Sequence, residues 1–349
     1  MITVFRNGTT YGPYEPSVAK QYIESGLLLP TDLAKDSNAN DSKDRSLKDV
    51  LKANGIELDS NFSISEISDG IKSLGKDVLW PWDQIKSADW LKERPLQILM
   101  FVGLLPIFTM FLLPSAMEEV GYVVVALYAS VLWAFLFHDL FHTKQVQTNV
   151  AVKCFLLTSF LSMPALLVLS IFPPISWCHE LIEEGGIGGV LGMFFGVGLA
   201  EEFCKLAVVL FVLSRPGSLL IPRTAVFYGM ISGLSFGIYE GIGYQLTINR
   251  GMDVDSAYFL NILRLTSLPF LHAIWAGTSA YFASFALLFP KMKWALLFLA
   301  LFIPATLHTA YNVLTNGVFC LIPASLGLLL LWIYISQTKE LELRLKQSR

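Results

Sequence analysis

The sequence predicts an all-α polytopic membrane protein of about eight transmembrane helices, preceded by a small N-terminal α+β domain. Three observations predict it. Only 15% of the 349 residues are charged, while 54% are hydrophobic; ordinary soluble domains carry about 25% charged residues. The apolar residues gather after about Pro95, in successive runs of the roughly 20 residues that cross a bilayer. Loop charge then alternates from one run to the next. A net charge of −3 with no basic tract gives no reason to expect a nucleic-acid partner. With no early apolar run, no signal peptide is expected, and the first span serves as its own insertion signal.

Residues 1–57 read as the α+β domain. Ile2-Thr3-Val4-Phe5 has strand character, and Asn7-Gly8 is a hairpin turn signal. After Tyr11-Gly12-Pro13-Tyr14, Ser17 is the expected cap of a helix to about Ser25, with Gly26 as its stop. These residues resemble the GYF-like domains at the N-termini of many bacterial membrane proteins, up to Asp36. Polar residues Ser37 to Arg45 replace the usual Trp-containing stretch. The resemblance implies a cytoplasmic domain that takes a peptide or protein partner. Residues 58–94 read as a linker with an interfacial helix, because Trp80, Trp82 and Trp90 lie among charges just before a span.

Eight spans follow, at about 96–114, 119–140, 150–172, 187–213, 224–245, 257–289, 293–314 and 317–336. The sixth is long, so a tilt or a break near Pro269 is expected. Lys86, Lys92 and Arg94 precede the first span. Lys144, then Arg215 and Arg223, then Lys291 and Lys293 occupy every second loop. Lys339, Arg344, Lys346 and Arg349 lie in the tail, residues 338–349. The alternate loops hold Glu118, Glu119, Glu180, Glu183 and Glu184, with Arg250 as their cation. The positive-inside rule places both termini in the cytoplasm. Cys178 and Cys320 fall on one side of this topology, so a disulfide is open there in an oxidising compartment. Otherwise all four cysteines are buried small apolar residues.

The fourth span contains Glu201-Glu202-Phe203-Cys204-Lys205. Each charge at a helix centre costs about 2.5–3.5 kcal/mol on insertion scales. Lys205 is spaced to pair with either glutamate, and the two glutamates point about 100° apart. The fifth span carries Phe236 and Glu240 on a glycine-rich helix (Gly229, Gly233, Gly237, Gly241) suited to close helix approach. The sixth has His272, with Arg264 two turns before it, readable as an interfacial arginine or a group that steers substrate. The seventh has His308 and Asn312 on one face. Counting about 1.5 Å per residue, Glu201, Glu240 and His308 reach one depth between mid-membrane and the outer face, and His272 can join them. Glutamates and histidines together can bind a divalent metal such as zinc. A desolvated glutamate can also act as a general base without one, and a His–Asn pair can donate to an oxyanion. The same groups could carry protons or ions in a transporter, or fix the packing of a non-catalytic scaffold.

Glu-Glu-x-x-Lys (201–205), Phe-x-x-x-Glu (236–240), His272 and His-x-x-x-Asn (308–312), in order on successive spans, resemble the PrsW family of intramembrane proteases. That family is related to the CAAX prenyl endopeptidases and the bacterial Abi proteins. The resemblance covers about residues 95–337 and implies a membrane-embedded endopeptidase of the bacterial inner membrane. Its implied substrate is a membrane-anchored protein, such as an anti-sigma factor, cut near the outer face. It further implies that Glu201 activates water and that Glu202 is a second acid oriented by Lys205. His308 and Asn312 match the oxyanion site. Any metal would be held among Glu202, Glu240, His272 and His308. Glu240 stands where the wider superfamily often has histidine.

Overall fold

The computed structural model describes residues 1–6, 8–37, 44–58, 64–75, 78, 80–100, 119–214, 221–247, 254–315 and 318–347. At the N-terminus, β1 (Ile2–Arg6), β2 (Thr9–Tyr14), β3 (Leu33–Asp36) and β4 (Arg45–Ser46) form a sheet of order β2-β1-β3-β4, every pair antiparallel. Helices α1 (Pro16–Glu24) and α2 (Leu47–Ala53) complete the unit. Its core gathers Ile2, Val4, Ala19, Ile23, Leu28, Ala34, Leu47, Val50 and Leu51. The buried carboxylate of Asp32 is satisfied by the Arg6 guanidinium, Nε to Oδ1 at 2.8 Å, and by the Leu29 amide at 2.7 Å. The expected Ser17 cap is corrected. Glu15 occupies the cap without a side-chain bond, Pro16 takes the first turn, and Ser17 lies inside the helix. Proline suits that position because the first-turn amides lack intrahelical partners in any case.

The linker region contains α3 (Ile64–Leu74) and two short turns, Trp82–Ser87 and Asp89–Lys92. Trp80 and Trp82 are exposed and stacked on each other. The remainder is helical: α4 (Glu119–Phe141), α5 (Thr148–Leu169), α6 (Ile175–Glu184), α7, α8 (Pro222–Leu246), α9 (Val254–Leu288), α10 (Lys293–Val313), α11 (Leu321–Ser336) and α12 (Thr338–Gln347). Here α7 runs through Gly186–Gly192, a π-helical segment Met193–Leu199, and Ala200–Leu213. α3 packs against α10, with Gly70 facing Ala295 and Met292.

Most of the predicted first span, 96–114, lies outside the described residues; each of the others coincides with helix. Four described helices are long and apolar enough to cross a membrane: Thr148–Leu169, Arg264–Leu288, Pro290–Val313 and Val318–Ser336. Among the described residues four spans are thus recognised by length and composition, where eight were expected along the whole chain. Helices that line a polar centre are shielded by their neighbours and can carry glycine and charge, as α7 and α8 do. Helices such as α5 instead present Phe160 and Leu161 outward. The four cysteines are free, and Cys178 is only half-buried, so no disulfide forms.

α9 is the enclosed helix of the bundle. It runs unbroken through Pro269, where a tilt or a break was expected, because neighbouring helices stabilise a proline in an apolar bundle. Trp133 Nε1 donates to the Thr266 carbonyl at 3.0 Å just before it. The glycine face of α8 lies directly on α9. A Cβ on Gly229 would come within 2.5 Å of Ala276 O, and one on Gly237 within 2.5 Å of Pro269 Cα. One on Gly233 would strike the His272 carbonyl. On its other side α8 meets α5 through hydroxyl pairs, Thr158–Ser232 at 2.7 Å and Ser159–Ser235 at 2.6 Å. Overpacking at such a contact costs about 1–3 kcal/mol. Gly233→Val is therefore expected to lower the thermal midpoint of the detergent-purified protein. Gly243→Ala, where a Cβ meets nothing within 4 Å, leaves it unchanged.

Candidate active site

Four helices bring their polar residues to one point. On α7, Glu202 and Lys205 lie one turn apart, and Lys205 Nζ donates to Glu202 Oε1 at 2.6 Å, both side chains fully buried. Lys205 also reaches across to α9, with Nζ 2.8 Å from His272 Nδ1, and stands over the Phe236 ring of α8 at 4.5 Å. Glu202 Oε1 in turn lies 3.1 Å from His308 Nδ1 on α10. A single ion pair thereby orients both histidines.

The far nitrogens of the two rings face the remaining carboxylates. His272 Nε2 is 2.5 Å from Glu240 Oε2, and His308 Nε2 is 3.8 Å from Glu201 Oε2. The rings are perpendicular, with centroids 5.1 Å apart. Glu201 and Glu240 keep 11% and 16% of their side-chain surface open. Glu202 has none. This difference separates an enclosed, paired acid from two acids that something entering the site can touch.

Hydrogen-bond chemistry fixes ring roles. A carboxylate only accepts, so His308 Nδ1–H donates to Glu202, and in the neutral ring Nε2 carries the lone pair. An ammonium only donates, so His272 Nδ1 accepts from Lys205 and its proton sits on Nε2. Glu201, His272 and His308 each offer one ligand atom within 4.8 Å of the others. Two carboxylates and two imidazoles are also ligands that a divalent transition metal accepts. Glu201 Oε2, Glu240 Oε2 and His272 Nε2 are buried without an aligned hydrogen-bond partner, which is the state of ligand atoms lacking an ion. The donor set therefore fits a metal, with one proton leaving the Lys205–His272 pair when Nε2 becomes a ligand.

The structure thus gathers Glu201, Glu202, Glu240, His272, His308, Lys205 and Phe236. Asn312 stands one turn further along α10, its amide 3.9 Å from Met193 Sδ. Of the residues expected to share a metal, Glu202 has its Oε1 taken by Lys205 and His308. Its Oε2 is buried without an aligned hydrogen-bond partner, as are those of Glu201 and Glu240, and the compact ligand trio is Glu201, His272 and His308. Sequence reasoning missed Trp275, whose indole stacks on His308 at 4.4 Å and 19°. Its position three residues after His272 was the available signal, indistinguishable from an ordinary core aromatic. The π-helical segment ahead of Glu201 was also missed. There Gly198 lets α7 lie against α10, a Cβ being 2.8 Å from Ala305 O.

Apolar helices enclosing a carboxylate–histidine centre with metal-ligand chemistry define a multi-pass membrane protein with a polar site inside it. The family model of PrsW family intramembrane metalloproteases matches residues 146–336, over half of the chain. The chain belongs to that family and is a membrane-embedded protease. No curated protein and no solved structure matches it.

Removing one partner of a buried ion pair costs about 3–5 kcal/mol. Lys205→Met is expected to lower the unfolding midpoint accordingly in detergent, and Glu201→Gln, with no aligned partner on Oε2, to change it little. Circular dichroism melts of the two variants check this.

Proposed function

We propose that this chain is an endopeptidase that cuts membrane-anchored proteins near the outer face of a bacterial cytoplasmic membrane. In this reading it has eight spans and both termini cytoplasmic. The alternation of basic and acidic loops supports that topology. The observation that carries the reading is the asymmetry between the two adjacent glutamates. Glu202 is locked by Lys205 and His308 and fully enclosed, whereas Glu201 keeps 11% of its side-chain surface open and has Oε2 3.8 Å from His308 Nε2.

Glu201 is the group that takes a proton from water attacking a peptide carbonyl. Its carboxylate keeps part of its surface open, where a water entering the site can reach it. Glu202 holds the His308 tautomer, and Lys205 holds Glu202 and His272. Glu240 receives or returns a proton through His272 Nε2. Asn312 lies one turn from His308, on the face where its amide can donate to an oxyanion once a substrate displaces the Met193 contact. In the metal-bound alternative Glu201, His272 and His308 would hold a divalent ion such as zinc, and Glu240 beside them, not the ligated Glu201, would be the carboxylate left to take the proton. Such an ion supplies Lewis-acid polarisation of the peptide carbonyl and of water. An anti-sigma factor or a similar signalling protein is the substrate class that the family resemblance implies, and the outward position counted along the sequence agrees with access from that side.

Protein N-termini in membranes of cells making the wild type, Glu201→Gln or His308→Ala at matched expression test the reading. New termini near the outer ends of other proteins' spans are expected only with the wild type. Their persistence in Glu201→Gln overturns the assigned base. Metal analysis of the purified protein is expected to show about one divalent ion per chain. The ion is lost on chelation and in His308→Ala, and cleavage falls with it.

A further inference from the structure

α8 and α9 run antiparallel in a fixed register. Gly233 faces the His272 carbonyl, Gly237 faces Pro269, and Gly241 faces the Arg264 carbonyl at 3.8 Å. Arg264 therefore lies two helical turns from His272, about 12 Å along α9, at the end of the site marked by Tyr244, one turn past Glu240. Its guanidinium carbon sits 3.8 Å over the Tyr244 ring. Nη1 is buried and has no hydrogen-bond partner. Among the described residues, no carboxylate lies within ion-pair distance of this arginine. Glu240 and Tyr311 are within its electrostatic range, and the Tyr311 hydroxyl is engaged with Ser267.

An unsatisfied guanidinium donor in an apolar bundle costs free energy. The arginine is also held in place, since stacking on Tyr244 fixes its plane. It thus presents one donor, Nη1, without a partner among the described residues, two helical turns from the proteolytic centre, and carboxylate is the group that a guanidinium matches best.

We propose that Arg264, stacked on Tyr244, is a substrate subsite that binds an acidic side chain about three or four residues from the scissile bond, on its outer side. The spacing follows from the 12 Å offset and the roughly 3.3 Å advance per residue of an extended peptide. This rests on the protease reading above. Arg264 acts on selection and does not touch the reacting atoms. A phosphate of a lipid headgroup would satisfy the same donor, but Nη1 points into buried space, which favours a group on a chain already threaded into the site.

The test uses full-length protein in the Glu201→Gln background, in detergent micelles, so that binding is read without turnover. The probes are two fluorescent Leu/Ala spanning peptides with an identical outer flank carrying either Glu or Gln four residues from the span end. The Glu peptide is expected to bind about tenfold tighter, a difference of about 1.4 kcal/mol. Arg264→Gln should abolish the preference while leaving Gln-peptide affinity and the melting midpoint unchanged, and Arg264→Lys should retain part of it. Equal binding of both peptides, or a preference that survives Arg264→Gln, overturns the proposal. So does a preference erased by added phosphatidylglycerol but not by phosphatidylcholine, which assigns the donor to lipid. Cleavage of the same peptides by the protein with Glu201 intact is followed separately. A Glu preference in binding with no Glu201-dependent cleavage keeps the subsite and removes the protease mechanism.

Discussion

The buried pair of Glu202 and Lys205 is the interaction on which the rest of the site depends. Neither side chain reaches solvent, and a lone charge at such a place would cost several kcal/mol. The pair lowers that cost by spreading its hydrogen bonds over two neighbouring helices. Lys205 contacts His272 on α9 and Glu202 contacts His308 on α10. These contacts orient the imidazoles and aim Nε2 of both rings at the same small space, opposite Glu201 and Glu240. Electrostatic necessity in an apolar interior thus becomes alignment of reactive groups.

Such alignment tolerates little slack, and the packing shows how slack is removed. Glycines on α8 bring its backbone against α9 at Gly233 and Gly237, next to His272 and Pro269. Gly198 does the same for α7 against Thr309 and Ala305, next to His308. The face of His308 away from Glu202 is covered by Trp275, itself one turn from His272. Small residues set the distances between helices and one large residue fills what remains. The same helices carry fewer apolar residues than lipid-facing ones because their neighbours, not lipid, surround them.

The polar sites were legible in the sequence because charge is conspicuous among apolar residues. Glu201, Glu202, Lys205, Glu240, His272 and His308 all stand out in that way, and counting helical rise put them at one depth. What spacing left open was which glutamate pairs with Lys205, since i,i+3 and i,i+4 are both in reach. It also could not separate Trp275 from core aromatics, nor place the π-helical turn ahead of Glu201. Ser17 was mistaken for a cap because proline at the first turn competes for the same stretch.

By itself the sequence determined that the chain is a helical membrane protein with charged and histidine side chains inside it, and where along the helices they fall. Transfer free energy and helical periodicity are local properties and can be read from residue order. The tertiary structure decided which of these side chains are locked and which are open. Glu202 became a buried partner, Glu201 and Glu240 kept a small open surface, and Arg264 was left on Tyr244 with Nη1 unpartnered among the described residues. Those distinctions depend on how α7, α8, α9 and α10 meet, and a meeting of four helices is set by close packing that no single stretch of sequence encodes.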